Sequence, residues 1–164
     1  MAMVSRLNHA VLFVSDVDRS AAFYKKVLGM EPVATRPGQA VFMRAPGSSN
    51  HHDLAVMSVG ANAPRPPQHA VGLYHLAWEV GTIDELADAL QELADAGALV
   101  GMSDHGVSKS AYAKDPDGIE FEVLWSVPRE DWGEYEHKAF TTHLDLAKEL
   151  KRYSVRRPAV EATS

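Results

Sequence analysis

The chain is organised around residues 114–125, a turn followed by a strand, which read Lys114-Asp-Pro-Asp-Gly-Ile-Glu-Phe-Glu-Val-Leu-Trp125. Its first half predicts a turn, because proline presets one backbone angle and glycine accepts a positive φ. From Gly118 onward the residues alternate between two faces, as in a strand, and Glu120 and Glu122 share one face. Because an ionised carboxylate is rarely buried alone, this inner face needs a metal cation or a buried hydrogen-bond network.

Outward from this strand, the chain repeats one order of elements twice. Strand and helix signals predict a βαβββ module over residues 5–60, a Gly- and Pro-rich linker over residues 61–72, and a second βαβββ module over residues 73–126. The predicted fold class is therefore α+β with two βαβββ modules. Residues 127–164 form a C-terminal extension with a short helix and a frayed end.

Local signals set the expected limits of the elements. Asp16 or Asp18 can cap the first helix, which ends at Gly29, and Thr82 opens a capping box for the second helix, which ends at Gly97. Strands are predicted at residues 7–14, 31–35, 39–44, 53–59, 73–80, 99–102, 110–114 and 118–125, and a short C-terminal helix at residues 144–150.

The duplication pairs chemically useful residues. His9 and His75 occupy the same place in the first strand of each module, and the region around His52 matches Glu122 at the last strand. Two imidazoles and one carboxylate are the ligand set of a facial triad, so His9, His75 and Glu122 form the candidate metal site. The competing interpretation is that each histidine is an ordinary half-buried strand residue.

Composition narrows the function class. The chain of 164 residues is 46% hydrophobic and 23% charged, as expected for a globular protein, and its net charge of −6 disfavours nucleic acid as a partner. Because it has no cysteine, thiolate sites are excluded and the expected metals are Fe, Mn, Ni, Co or Zn. No apolar run is long enough to cross a membrane and the N-terminus lacks a signal-peptide pattern, so we expect a cytoplasmic protein.

Further side chains are candidates for handling protons and substrate. His52 is either a fourth metal ligand or an acid–base suited to neutral pH, and its neighbour His51 is expected to point the opposite way. His105 and Tyr112 could hydrogen-bond a phenolate or enolate; the competing interpretation is a loop histidine and a core tyrosine. Glu120 is expected at the rim. No role is predicted for the remaining histidines, His69, His137 and His143.

Several motifs together resemble the vicinal oxygen chelate superfamily. They are Leu-Asn-His9, Ala-Phe-Tyr24 through Leu-Gly29, His51-His-Asp-Leu-Ala55, Tyr-His75-Leu-Ala-Trp, and Asp-Pro-Asp-Gly118 followed by Glu122. The resemblance covers residues 5 to about 126. It implies two modules that form a cupped, curved mixed sheet around one metal. It also implies a homo-oligomer in which modules pair within one chain or between chains.

A narrower likeness points to small catechol 2,3-dioxygenase-like proteins. It rests on Asp104-His-Gly-Val-Ser with Tyr112-x-x-Asp-Pro-Asp-Gly118, and on Val-Pro-Arg-Glu-Asp-Trp132 with Leu144-Asp-Leu. This likeness implies an extradiol-type dioxygenase that opens a small catechol with dioxygen on Fe(II). Its metal ligands would be His9, His75 and Glu122, its acid–base His52, and its substrate-orienting groups His105 and Tyr112.

Two other functions stay open at this point. A glyoxalase-like lyase or isomerase would bind Ni or Zn, with His52 or Asp53 as a fourth ligand and Glu122 as the base. A small-molecule (drug) binding protein without catalysis is the third candidate. The presence of His9, His75 and Glu122 together argues against that third candidate, because a binder has no need of them.

Overall fold

The computed structural model describes residues 3–65, 67 and 70–156. Pro66, Gln68 and His69 of the predicted linker, and residues 157–164 of the predicted frayed end, lie outside the described residues. Contacts divide the chain into two units, Met1–Leu73 with Asp115–Ile119, and Tyr74–Lys114 with Glu120–Ser164. In the described part of the chain no helix has the length and apolar character needed to cross a membrane.

The first unit is a four-stranded mixed sheet with one helix. Its elements are β1 (Ala10–Val14), α1 (Val17–Leu28), β2 (Glu31–Arg36), β3 (Ala40–Arg44) and β4 (Leu54–Ser58). The strand order is β1-β4-β3-β2, with β1 and β4 parallel and the other pairs antiparallel. The predicted βαβββ order is therefore confirmed.

Helix α1 forms where its caps and apolar spacing predict. The Asp16 side chain accepts a hydrogen bond from the Arg19 N–H at 3.0 Å, and Gly29 ends the helix with a φ of 64°. One stripe of the helix is buried, and its members recur at helical spacing: Val17, Ala21, Tyr24 and Val27. This stripe anchors α1 to the sheet of the first unit.

The Asp115–Ile119 turn belongs to the first unit, although its flanking strands belong to the second. Asp117 accepts hydrogen bonds from the Ser15 N–H at 2.9 Å, the Ser15 hydroxyl at 2.6 Å and the Arg19 guanidinium at 2.9 Å. Burial alone would raise the pKa of Asp117, but these hydrogen bonds and the Arg19 charge hold it below its usual value. The turn is thus fastened to the start of α1.

We expect Asp117→Ala to lower the free energy of unfolding by about 1–3 kcal/mol, because the Ser15 donors lose their acceptor. A carboxyl with a depressed pKa stabilises the fold above the ordinary value of 3.8, and that contribution disappears as the pH falls through the folded-state pKa. The difference between parent and variant in urea unfolding should therefore shrink below about pH 4. Asp18→Ala, an exposed control on the same helix, should cost about 0.5 kcal/mol.

The second unit repeats this arrangement. Its elements are β5 (Leu76–Val80), α2 (Ile83–Asp95), β6 (Leu99–Asp104), β7 (Ser108–Lys114) and β8 (Glu120–Ser126), and the strand order is β5-β8-β7-β6. Strands β5 and β8 are parallel, as β1 and β4 are in the first unit. The fold class is α+β with two mixed four-stranded sheets, as predicted.

The C-terminal extension packs within the second unit. Two short 3-10 segments, Arg129–Asp131 and Gly133–His137, lead to helix α3 (Leu146–Tyr153), which is capped by Asp145. Thr142 pairs with Asp104 of β6 through both main-chain hydrogen bonds, at 2.8 and 2.9 Å. The extension is therefore attached to the sheet that carries Glu122, rather than being a separate tail.

Candidate active site

The turn at 115–118 sets the register of the β7–β8 hairpin. Asp115 accepts from the N–H groups of Asp117 and Ile119 at 2.9 and 2.8 Å, and Gly118 has a φ of 83°. The resulting antiparallel ladder places Tyr112 directly opposite Glu122. Directly opposed residues on one sheet face have neighbouring side chains, so the hairpin brings two predicted site residues together.

His75 meets Glu122 across the parallel β5–β8 pair. His75 lies one residue before β5, and its Nε2 is 3.1 Å from Oε2 of Glu122, whose side chain is 9% exposed. Neighbouring ligands of an octahedral ion with bonds of about 2.1 Å are separated by about 3.0 Å. The observed spacing matches that separation, and it equally matches a direct hydrogen bond between the imidazole and the carboxylate.

One ring nitrogen of His75 lacks a hydrogen-bond partner among the described residues. Within the residues that the structure describes, its Nδ1 is buried and has no hydrogen-bond partner. An unsatisfied buried polar atom costs about 1–3 kcal/mol. The ring centroids of Tyr74 and Tyr112 lie 4.8 and 5.8 Å from the centroid of the His75 imidazole, so two aromatic side chains pack beside it.

Tyr112 links Glu122 to His105. The Tyr112 hydroxyl is 2.9 Å from His105 Nε2. Burial, followed by the neighbouring negative charge of Glu122, raises the pKa of Tyr112 to about 12. The hydroxyl therefore stays protonated at neutral pH and can donate a hydrogen bond. The second unit thus gathers four predicted site residues, His75, His105, Tyr112 and Glu122.

His9 is held by its neighbours in the first unit. Its Nδ1 lies 2.9 Å from Oδ1 of Asn8, while the Asn8 amide nitrogen donates to Oδ1 of buried Asn50 at 3.2 Å. The amide assignment makes Asn8 Oδ1 an acceptor, so His9 Nδ1 carries the proton. His9 is an exposed residue, and its Nε2 can then bind a metal, as in histidine ligands that donate a hydrogen bond through the other ring nitrogen.

His52 lies beside His9. Their ring centroids are 4.5 Å apart, and Phe42 packs edge-on to His52 at 5.2 Å. Partial burial, followed by the charges of His9 and His51, lowers the pKa of His52, against a smaller opposite effect of Asp53. A histidine with a lowered pKa is neutral at pH 7 and can accept a proton.

The structure corrects three predictions around His52. The first-unit ladder pairs Ala10 with Leu54 and the second pairs Leu76 with Phe121, so His9 and His75 are equivalent but Ala55, not His52, corresponds to Glu122. The predicted strand began at residue 53, whereas β4 begins at Leu54 and both His51 and His52 precede it. Strand alternation therefore does not apply, and His51 Nδ1 contacts His52 Nδ1 at 3.1 Å.

Asp53, the candidate fourth metal ligand under the lyase hypothesis, already accepts hydrogen bonds from its neighbours. It accepts hydrogen bonds from the Ala45 N–H at 2.9 Å, the Ser48 hydroxyl at 2.8 Å and the Asn50 amide at 2.7 Å. These contacts stabilise the loop between β3 and β4. Neither unit by itself, over its described residues, gathers three His, Asp or Glu side chains that could hold a metal.

The residues around the site include two contacts that the sequence analysis does not predict. Glu120 lies beside exposed Tyr74, and its charge and hydrogen bond raise the pKa of Tyr74. Phe140 and Thr141 of the extension contact His105 Nδ1 at 3.2 and 3.1 Å. No local signal indicates the latter contacts, because 35 and 36 positions separate the partners. His137 and His143 are exposed in the extension, and His69 lies outside the described residues.

Comparison with known proteins agrees with this architecture. The chain is 32% identical over 129 residues to a protein of Bacillus subtilis (strain 168) named catechol-2,3-dioxygenase, and the match covers 78% of this chain but 44% of that protein. It is 30% identical to a lactoylglutathione lyase of Escherichia coli O157:H7, over 73% of this chain and 91% of the lyase.

A solved structure gives the same result for the fold. The crystal structure of a glyoxylase/bleomycin resistance protein/dioxygenase domain from Frankia sp. EAN1pec superposes with a TM-score of 0.66 at 20% identity, covering 77% of this chain and 96% of that one. The family match extends over residues 6–123, from before β1 into β8. The chain belongs to the Glyoxalase/Bleomycin resistance protein/Dioxygenase superfamily.

Proposed function

We propose that this protein is a metal-dependent extradiol-type dioxygenase that cleaves the ring of a small catechol. The observation that carries the proposal is the connected set of side chains in the second unit. His75 contacts Glu122 at 3.1 Å, and Tyr112, opposite Glu122 in the ladder, contacts His105 at 2.9 Å. The potential metal ligands His75 and Glu122 thus lie next to Tyr112 and His105, which can hydrogen-bond a phenolate oxygen.

His9, His75 and Glu122 would hold the metal, for which Fe(II) is the first choice and Mn, Ni, Co or Zn are alternatives. A relative from Geobacillus genomosp. 3, 24% identical to this chain, is named a manganese-dependent 2,3-dihydroxybiphenyl 1,2-dioxygenase, and imidazole and carboxylate donors suit such divalent ions. The chemistry that Fe(II) supplies when bound is to bring a catechol and dioxygen together and to tune their charge.

The protein's own side chains have separate tasks. The Tyr112 hydroxyl, protonated at neutral pH, would donate to a catecholate oxygen, and His105 would support Tyr112 from behind. His52, neutral because of its lowered pKa, would take a proton from a catechol hydroxyl. The aromatic ring of Tyr74, which lies 4.8 Å from the His75 ring, would offer flat apolar surface to a small ring.

A glyoxalase-like lyase or isomerase is the second candidate, because the likeness to lactoylglutathione lyase covers most of that enzyme. Two observations narrow its ligand set. The first-unit counterpart of Glu122 is Ala55, and Asp53 is engaged by three hydrogen bonds, so this candidate would have to take His52 as its fourth ligand. The cytoplasmic location and the homo-oligomeric state remain predictions.

The test is anaerobic reconstitution with Fe(II), followed by small catechols and then air. A yellow ring-opened product is expected. If every catechol fails while the Ni or Zn form converts a hemithioacetal, the dioxygenase proposal is wrong and the lyase is favoured. Binding of small molecules without turnover under any of these metals would instead favour the drug-binding alternative.

His52→Phe is expected to retain the metal and to lower turnover by about 10²–10⁴-fold, because a positioned acid–base contributes that much. Metal analysis and single-turnover kinetics would measure the two effects separately. His51→Phe is the matched control, and it should lose much less activity because His52 is kept. Loss of metal from His52→Phe would show instead that His52 is a fourth ligand.

A further inference from the structure

The segment of the C-terminal extension formed by Phe140, Thr141 and Thr142 lies against the strand end that carries His105. The Asp104 N–H donates to the Thr142 carbonyl at 2.8 Å, and the Thr142 N–H returns a hydrogen bond to Asp104 at 2.9 Å. This two-way bridge holds the preceding residues beside the His105 ring. The extension thereby touches a candidate catalytic side chain.

The contacts of this segment determine which ring nitrogen of His105 is protonated. Nδ1 lies 3.2 Å from the Phe140 carbonyl oxygen and 3.1 Å from the Thr141 hydroxyl. A carbonyl can only accept, so Nδ1 must carry a proton. The Thr141 hydroxyl donates its own proton to the Phe140 carbonyl at 2.8 Å, which leaves its lone pairs to accept from Nδ1–H.

The consequence is that His105 exchanges protons through Nε2 alone. Nε2 faces the Tyr112 hydroxyl at 2.9 Å, and that hydroxyl is the group proposed to bind substrate. With Nδ1 protonated, neutral His105 presents Nε2 as an acceptor, and the single Tyr112 proton then lies in that hydrogen bond. The ring in its charged form donates to the Tyr112 oxygen instead, which leaves the Tyr112 proton for a catecholate oxygen.

Packing of Tyr135 against Gly106 and Phe140 keeps the extension next to His105. Gly106 follows His105 with a φ of 77°, and a Cβ at this position would clash with the Tyr135 ring. The Tyr135 ring in turn lies 4.7 Å from the Phe140 ring. The Gly106 N–H donates to Oδ1 of Asp104 at 2.7 Å, which stabilises the bend. The extension and the His105 loop therefore pack as one body.

We propose that Thr141 is a positioning residue that, with the Phe140 carbonyl, sets the tautomer and orientation of His105 toward Tyr112. The role in turnover rests on the proposed function. The tautomer itself is a property of the second unit and can be measured without metal or substrate. Thr141 is exposed, so its replacement should not disturb the core.

The test uses ¹⁵N-labelled, metal-free full-length protein, in which imidazole ¹⁵N chemical shifts distinguish protonated from bare nitrogens. The parent should show His105 protonated at Nδ1. Thr141→Val should raise the population with the proton on Nε2 by roughly three- to tenfold, as expected for the loss of one hydrogen bond. Thr141→Ser should restore the parent ratio. Thr142→Val, whose bridge to Asp104 is made by the main chain, is the matched control and should leave the ratio unchanged.

In the Fe(II)-loaded enzyme, Thr141→Val should lower kcat by roughly three- to tenfold with KM unchanged, and Thr141→Ser should recover it. A parent His105 protonated on Nε2 with a bare Nδ1, or a tautomer ratio in Thr141→Val equal to that of the parent, would overturn the proposal. Failure of the parent to cleave any catechol would reject the dioxygenase function alone, since the tautomer measurement does not depend on it.

Discussion

Glu122→Ala is expected to lose its metal and its ring-cleaving activity while keeping its fold. Glu122 is the single carboxylate in the proposed ligand set, and it is 3.1 Å from His75 on a buried strand. Removal of groups that merely support metal ligands costs about 10–100-fold in metal affinity, so loss of a ligand should weaken binding by at least about 100-fold. Metal content after gel filtration would measure this, with circular dichroism to verify folding.

Glu120→Ala provides a matched control for this experiment. Glu120 lies on the same strand and face as Glu122, two positions earlier, and contacts Tyr74 rather than His75. It should retain the metal. His75→Ala should behave like Glu122→Ala. If the Glu122→Ala protein carried as much metal as the parent, the assignment of Glu122 as a ligand would be wrong.

Lys109→Met is expected to be among the most destabilising single changes in the chain. Lys109 Nζ lies 2.5 Å from Oδ1 of Asp104 on β6 and 3.6 Å from Oε2 of Glu149 on α3, and its side chain is 6% exposed. Removing one member of a buried ion pair leaves uncompensated charge and costs about 3–5 kcal/mol. The expected fall in the thermal midpoint is roughly 6–20 °C, from about 2–4 °C per kcal/mol.

The controls for Lys109→Met lie in the same cluster. Lys148 is also near Glu149, at 4.0 Å, but its side chain is 73% exposed, so Lys148→Met should cost less than about 1 kcal/mol. Adding Glu149→Gln to Lys109→Met should cost less than the sum of the two single changes, because the partners are coupled. Equal effects of Lys109→Met and Lys148→Met in urea unfolding would contradict a buried ion-pair role.

The same cluster predicts a pH dependence of stability. Burial alone would raise the pKa of Asp104, but the hydrogen bonds from Lys109 and the Gly106 N–H, together with the Lys109 charge, bring it below the usual value of 3.8. Its contribution to stability is complete above that value and disappears as the pH falls through the folded-state pKa. Acid should therefore weaken the attachment of β6 to Lys109.

Much of the fold could be predicted from local patterns. The Asp-Pro-Asp-Gly turn, the capping residues Asp16 and Thr82, and the alternation in the last strand each act over a few neighbouring positions. Repetition of the whole pattern then indicated two βαβββ modules, and the observed elements differ from the predicted ones mainly at their ends. His9 and His75, for example, each lie one residue before their strands rather than within them.

The candidate site was predicted less completely, because its geometry depends on register. The match between His52 and Glu122 was inferred from the order of elements, but pairing of Ala10 with Leu54 makes Ala55 the true counterpart. A shift of a few residues along a strand changes which side chains meet, and sequence order alone does not specify it.

The α+β class and the duplicated modules follow from local backbone preferences, and the candidate metal ligands follow from side-chain chemistry. Three contacts are visible in the folded structure alone: Tyr112 faces Glu122, Lys109 is buried between Asp104 and Glu149, and Thr141 contacts His105. Lys109 lies on β7, with one partner on β6 and the other in the extension, and Thr141 of the extension contacts His105, which follows β6. Their contacts depend on packing of the extension against the sheet, which no short-range pattern encodes.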